Sequence, residues 1–348
     1  MKVSIKLINR QDIKYDITIG DLPQLSFNNK VAVITNDRVA PLHLDTLLAD
    51  IQADNLTVVT IKDGEEYKNM ETIEYILDNL FEARVDRKST LIAFGGGVIG
   101  DMTGFCASLY QRGIEFIQVP TTLLSQVDAS VGGKTGVNNR YGKNLIGAFY
   151  QPSAVYIEPK FLDTLPSREF GAGVAEIIKM AVMFDKEFFE YLESVDLKDR
   201  DKLKMVIKKS VELKATVVNQ DEKEAGIRAV LNYGHTFGHV IENETKYKKY
   251  LHGEAVAMGM IMANELSVEL GLLSRDEANS IEDLLKEYNL PTRYIIKDVD
   301  SFYEHFFLDK KSSNNKIKFI ISNGGIGTNI IRDDIDETII KKVLKRFV

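Results

Sequence analysis

Three of the chain's five histidines, His235, His239 and His252, fall within 18 residues of one another. Imidazole is a common ligand of divalent metals and carries protons near neutral pH, so this clustering asks for an explanation first. His235 and His239 stand four apart in Asn232-Tyr233-Gly234-His235-Thr236-Phe237-Gly238-His239, which puts them on one face of a helix. The zinc-protease pattern requires Glu directly after the first His; Thr236 stands there, so that chemistry is not supported. The third, His252, opens another helix in Leu251-His252-Gly253-Glu254. A catalytic zinc usually takes about three protein ligands, His or carboxylate, and keeps one position open. On spacing, any two or all three of these histidines qualify. Cys106 is the single cysteine, so neither an internal disulfide nor a Cys-rich zinc site can form, which fits a reducing compartment.

Charged groups accompany the histidines. Glu176 and Lys179 lie three apart among Val174, Ile177, Ile178 and Ala181, an ammonium and a carboxylate on an otherwise apolar segment. Lys214, Arg228 and Asn232, just upstream of the histidines, could add donors for an anionic substrate. Val131-Gly132-Gly133-Lys134-Thr135 imitates the end of a P-loop, but Asp128 occupies the position where that loop needs glycine. What remains is a glycine turn presenting Lys134, matched by a second in Gly142-Lys143-Asn144, and such turns suit oxyanions. Gly95-Gly96-Gly97-Val98-Ile99-Gly100 follows a predicted strand and opens a predicted helix, where backbone N–H groups can reach a pyrophosphate. Two strand–helix units precede it, whereas the usual dinucleotide fingerprint sits in the first.

The elements that must position these groups change character along the chain. Residues 2–19 alternate as a β-hairpin, and Lys30–Thr35, Leu56–Ile61, Thr90–Phe94 and Glu115–Val119 read as strands. Helices at His43–Ile51, Asn69–Ala83 and Asp101–Tyr110 separate them, the pattern of a parallel sheet covered on both faces. After about residue 165 the chain reads as helices at Gly171–Met183, Asp185–Glu193, Asp199–Thr216, Gly234–Glu244, Glu254–Leu270 and Arg275–Tyr288, with a small hairpin of Ile317–Ile321 and Thr328–Ile331. Tyr150–Pro166 is the natural junction. The expected class is α/β: an N-terminal doubly wound, Rossmann-like parallel-sheet domain over 1–160, then a mainly α-helical metal-binding domain over 161–348. A ligand site between them is the default for such sheets.

Composition bounds the partners. Acidic residues outnumber basic ones 51 to 44, a formal charge of −7, so general attraction to nucleic-acid phosphates is not expected. A hydrophobic content of 44% excludes a mainly disordered chain. The N-terminal MKVSIKLINRQDIKYDITIG lacks a signal-peptide core, and no stretch approaches a membrane span, so a cytoplasmic protein is expected.

The motifs taken together resemble the 3-dehydroquinate synthase family of sugar phosphate cyclases. The resemblance rests on Asp63–Lys68 (DGEEYK), Gly95–Asp101 (GGGVIGD), Val119–Thr122 (VPTT), Gln126–Gly136 (QVDASVGGKTG), Gly142–Gly147 (GKNLIG), Phe161–Lys179 (FLDTLPSREFGAGVAEIIK), Leu231–Glu242 (LNYGHTFGHVIE) and His252–Met260 (HGEAVAMGM). It implies a homodimer using NAD and a divalent metal, zinc or cobalt, on a small anionic sugar-phosphate substrate, 3-deoxy-D-arabino-heptulosonate 7-phosphate. By motif it makes Glu176, His235 and His252 the metal ligands and His239 a substrate-facing catalytic residue. Lys134, Lys179, Asn144, Arg112 and Asp128 join the catalytic set, with Arg112 reaching across the dimer and Lys134 also near the cofactor. Lys214, Arg228, Asn232 and one of Lys310 and Lys311 are implied to hold the rest of the substrate. NAD is implied to meet Asp63, Gly64, Glu65, Glu66, Tyr67, Lys68, Gly97, Val98, Ile99, Gly100, Asp101, Thr121, Thr122, Lys143, Phe161, Leu162, Asp163 and Thr164. Three alternatives compete: another cyclase such as 2-deoxy-scyllo-inosose synthase, an iron-type alcohol or glycerol dehydrogenase, and a non-catalytic binding protein. Lys214 and Arg228 favour a substrate bearing a carboxylate, and a dehydrogenase has no need of the lysine cluster.

Overall fold

A computed structural model describes residues 14–307 and 316–348. The chain folds into two compact units. The first runs to Thr121 and resumes over Gly132–Lys160; the second takes Thr122–Val131 and Phe161–Val348. The chain therefore enters the second unit twice.

In the first unit, strands β1 (Asp16–Ile19), β2 (Leu25–Asn36), β3 (Ile51–Ile61), β4 (Thr90–Gly95) and β5 (Glu115–Pro120) come in turn, with helices α1 (Ala40–Ala49), α2 (Met70–Glu82) and α3 (Gly97–Leu109) between the later ones. Strands β6 (Lys134–Asn139), β7 (Gly142–Phe149) and β8 (Ala154–Ile157) complete it. Six of these strands form one sheet in the order β1-β8-β5-β4-β2-β3, and every pairing is parallel. The burial of all six residues of β4, TLIAFG, explains its continuous apolar run, since both sheet faces are covered. Helix α2 is capped by the Asn69 side chain accepting from Thr72 N and buries Ile73, Ile76 and Leu80 on one stripe. From β2 the chain winds outward to β3, and from β4 it winds the other way to β5, so the ends of β2 and β4 flank the point where the winding reverses.

Three expectations change. The hairpin expected over 2–19 lies largely outside the described residues, and its Asp16–Ile19 portion pairs in parallel with β8 at the sheet edge. The proline-marked junction contains β8, whose short AVYI run is hidden between prolines. The two lysine turns belong to an antiparallel hairpin, β6 with β7: Lys134 opens β6 after Gly132 and Gly133, and Lys143 lies within β7.

The second unit is built from α4 (Ser167–Phe184), α5 (Lys186–Leu192), α6 (Arg200–Gln220), α7 (His235–Glu244), α8 (His252–Glu269), α9 (Arg275–Glu287), α10 (Val299–His305) and α11 (Glu337–Leu344). A small antiparallel pair, β9 (Phe319–Ile321) with β10 (Ile330–Arg332), interrupts them. Helices α7 and α8 pack backbone to backbone. A Cβ on Gly259 would strike Gly234 O and lie 2.8 Å from Gly238 N, and one on Gly253 would strike Ala172 O. Those glycines permit close helix approach. Among the described residues, no helix is long and apolar enough to cross a membrane.

Candidate active site

Helix α4 is buried along most of its length, yet it carries Glu176 and Lys179 one turn apart, each 2% exposed. Removing two charges from water is costly, and the pair is tolerable because each neutralises the other. Oε2 of Glu176 faces the Lys179 ammonium, while Oε1 is buried with no hydrogen-bond donor. That oxygen lies 3.8 Å from His252 Nε2. His235 begins α7, His252 begins α8, and the packing of the two helices brings their rings to 5.1 Å between centroids. One ligand atom from each of Glu176, His235 and His252 falls within 4.8 Å of the others. His239, one turn beyond His235, has its ring 6.4 Å from that of His252 and stands outside this trio. Two imidazoles beside a buried carboxylate oxygen that lacks a donor form a set that suits a divalent cation.

Cations gather nearby in the same unit. Lys214 on α6 donates to Asp128 O, and its Nζ lies 3.0 Å from Asp128 Oδ1. Asp128 belongs to the single wide turn Ser125–Ala129 in the strip that joins this unit. Burial lowers the Lys214 pKa, and the positive charges of Lys179 and Arg228 push the same way, outweighing Asp128. For Lys179 burial also pulls downward, but Glu176, Asp128 and Glu224 prevail, and the pKa ends raised. Arg228 is buried and donates from Nη1 to Glu222 O; Asn232 donates from Nδ2 to Glu224 Oε1. The structure thus brings Asp128, Lys179, Lys214 and Arg228 into one electrostatic cluster, with Asn232 tied in through Glu224.

The first unit gathers a second set at the C-terminal ends of its strands. Asn36, closing β2, donates to Asp63 Oδ1 at 2.7 Å. Gly64 takes φ +129°, and Glu65–Tyr67 form one tight turn. Lys68, buried, donates to Asp101 Oδ2 and to Asn144 Oδ1, both at 2.6 Å. Its pKa is raised: burial opposes, but Asp101 and Glu65 prevail. Gly97, Val98, Ile99, Gly100 and Asp101 form the opening of α3, whose first amides receive no side-chain cap. Gly100 has a packing reason as well, since a Cβ there would meet Gln118 Oε1 at 2.7 Å. The uncapped amides are the part suited to a phosphate. Thr121 N donates to Gly95 O, which places Thr121 beside the glycine turn.

Other candidates lie on other elements. Thr122 and Phe161–Thr164 belong to the second unit, where Phe161 and Leu162 are buried and Asp163 pairs with Arg200 at 2.6 Å. Lys134 is exposed and Lys143 half-buried on the β6–β7 hairpin. Arg112 is exposed at φ +70°, between Gln111 at +51° and Gly113 at +118°, in the turn that feeds the N-terminal end of β5. In a parallel sheet that is the opposite end of the strands from the glycine turn. Lys310 and Lys311 lie outside the described residues.

Some groups at the site carry little signal of their own in the sequence. Glu224 sits in a charged run that reads as a solvated surface. Glu242, on α7, is buried with Oε1 3.3 Å from His252 Nδ1. Glu254 accepts from Leu251 N and from both Arg168 Nε and Nη2, clamping the turn before His252. The one signal for Glu242 is its spacing, seven residues after His235 and on the same helix face.

Comparison with known proteins decides the family. The 3-dehydroquinate synthase N-terminal model matches residues 58–172 and the corresponding C-terminal model residues 173–312. The chain belongs to the 3-dehydroquinate synthase family. It is an enzyme of the lyase class, with the activity of that family. Proteins named 3-dehydroquinate synthase from a Sulfurovum species and from Sulfurimonas denitrificans are 72% and 63% identical to it, each over 100% of this chain and 99% of the relative. Among solved structures, a 2-epi-5-epi-valiolone synthase from Streptomyces hygroscopicus, with NAD+ and Zn2+ bound, matches with TM-score 0.88 at 26% identity over 99% of each chain. A 2-deoxy-scyllo-inosose synthase complexed with carbaglucose-6-phosphate, NAD+ and Co2+ shares the fold, with TM-score 0.80 at 24% identity over 92% of this chain and 91% of that one.

Proposed function

We propose that this chain converts 3-deoxy-D-arabino-heptulosonate 7-phosphate to 3-dehydroquinate and phosphate, a step of the shikimate pathway, as a cytoplasmic homodimer. The observation that carries the reading is the shared placement of the Glu176, His235 and His252 trio with the buried cations Lys179, Lys214 and Arg228 in one unit. When bound, NAD supplies a reversible two-electron oxidation of the substrate, and the divalent metal, zinc or cobalt, supplies a Lewis acid beside the oxidised carbon.

The chain's own residues then position and discharge. In this reading residues 1–160 carry the NAD site together with Phe161–Thr164, and the rest of 161–348 carries the metal and the acid end of the substrate, to which Asp128 of the strip 122–131 adds its charge. Asp63–Lys68, Gly97–Asp101, Thr121, Thr122, Lys143 and Phe161–Thr164 hold NAD, with pyrophosphate at the uncapped opening of α3. Glu176, His235 and His252 hold the metal. Lys214 and Arg228 hold the substrate carboxylate with Asn232, and one of Lys310 and Lys311 adds to them. Lys134 and Asn144 hold the phosphate end, while His239 faces the substrate as a catalytic residue. Asp128 and Lys179 keep the cluster's charge balanced around the substrate. Oxidation at one ring carbon acidifies its neighbouring C–H, phosphate leaves by elimination, and the re-reduced sugar opens and closes again as a carbocycle. Arg112, at the opposite end of the strands in its own subunit, serves the site of a second copy.

The test is a phosphate-release assay with NAD+ and zinc on the heptulosonate phosphate. Phosphate should appear without net NADH. Steady NADH accumulation would instead support a dehydrogenase, and turnover only of a hexose phosphate that lacks a carboxylate would support another cyclase.

A further inference from the structure

We propose that Glu242 is a positioning residue for His252: it holds Nδ1–H, so that Nε2 is the nitrogen offered to the metal. This rests on the reading of His252 as a ligand. His252 is the first residue of α8, and its side chain is 39% exposed. Two carboxylates flank that ring. On the inner side, Glu176 Oε1 lies 3.8 Å from Nε2, beyond hydrogen-bond range, and has no donor. On the outer side, Glu242 Oε1 lies 3.3 Å from Nδ1, and the Glu242 side chain is 4% exposed.

A carboxylate can only accept, so the nitrogen facing Glu242 carries the hydrogen, and a neutral imidazole has one to give. The Nε2 lone pair is then left on the Glu176 side. His235 is set in a similar way: its Nδ1 lies 3.1 Å from Tyr233 O, an acceptor. The two ligands differ in that His235 leans on a backbone carbonyl and His252 on a side-chain carboxylate. Glu242 shares a face of α7 with His235, so one helix supplies both a ligand and the partner that orients another.

The experiment uses the full-length protein stripped of metal and titrated with zinc against a chromophoric chelator. Glu242→Gln keeps the side-chain shape and removes the charge. Its zinc affinity should fall roughly 10- to 100-fold, the scale of outer-shell losses, while the unfolding midpoint of the metal-free protein stays at the parent value. Zinc bound as tightly as by the parent would overturn the proposal. A measurement on the unmutated protein stands beside it: nitrogen-correlated NMR of the zinc-loaded chain should show His252 protonated at Nδ1, and the opposite tautomer would also overturn it. His252→Ala separates the two levels. Zinc retained at full stoichiometry there would remove the ligand reading itself. Zinc lost there but held at parent affinity by Glu242→Gln would remove the positioning role alone.

Discussion

Gly259→Ala should break the metal site without touching a metal ligand. Alanine in a helix interior is ordinarily favoured over glycine by roughly 1 kcal/mol, so propensity alone predicts a more stable protein. Packing predicts the reverse. A Cβ at this position lies 2.8 Å from Gly238 N, nearer still to Gly234 O, and its neighbours are backbone atoms that cannot rotate away. A carbon needs roughly 3.5 Å from such atoms, so the shortfall against Gly238 N alone is about 0.7 Å. Helices α7 and α8 must part by at least that much, at a cost of roughly 1–3 kcal/mol for overpacking. His235 rides on α7 and His252 on α8. Their separation would exceed the few tenths of an ångström that a metal site tolerates. The assay is thermal unfolding of parent and variant with and without zinc, together with zinc competition. Both the midpoint and the zinc affinity should fall, and the stabilisation gained on adding zinc should shrink. A variant that melts at or above the parent and binds zinc equally well would refute the packing argument.

Two further outcomes follow from geometry already described. If Arg112 serves the neighbouring subunit, Arg112→Ala and His235→Ala should each be inactive alone, yet regain activity when unfolded together and refolded, because a mixed dimer rebuilds one whole site; no recovery would place Arg112 elsewhere. At the far end of α8, burial pushes the Glu265 pKa up, but Arg275 and Arg346 outweigh it and hold the carboxyl below its usual range. Its contribution is therefore present above the usual carboxylate pKa and lost as pH falls through the lowered value. Glu265→Gln should lower the unfolding midpoint at neutral pH and converge on the parent in acid; a gap that stays constant would exclude the ion pairs as its source.

Much of this organisation is legible in sequence where one physical signal dominates. The buried runs KVAVIT and TLIAFG could only be covered strands, and Asn69 followed by Ile73, Ile76 and Leu80 fixes both the start and the inward face of α2. The β6–β7 hairpin is a harder case. KTGVNN and GKNLIGAF look like turns because of their glycines, yet Gly136 and Gly147 are where the two strands cross too closely for a Cβ on either. That need exists only once the strands are paired, so no local rule reveals it. The histidine spacing is visible in the sequence, but separating His239 from its neighbours depends on the distance to an α4 carboxylate far away in the chain. Glu224 and Glu242 escape sequence reasoning on a related ground. A glutamate in a helix or a charged run reads as solvated until the opposing element is known.

The strip 122–131 bears on how the protein is made. Leu123 and Val127 are fully buried, and Leu123 together with the backbone at Leu124 lies where any side chain on Gly173 would have to sit. A ribosome delivers these residues before any of α4 or α6, so they must wait exposed until their covering arrives. A fragment beginning at residue 161 would have the helices but not the strip that fills the space against Gly173, nor the Asp128 that Lys214 grips. The second unit therefore depends for completion on chain that emerges with the first, and a fragment meant to hold all of it must begin by residue 122.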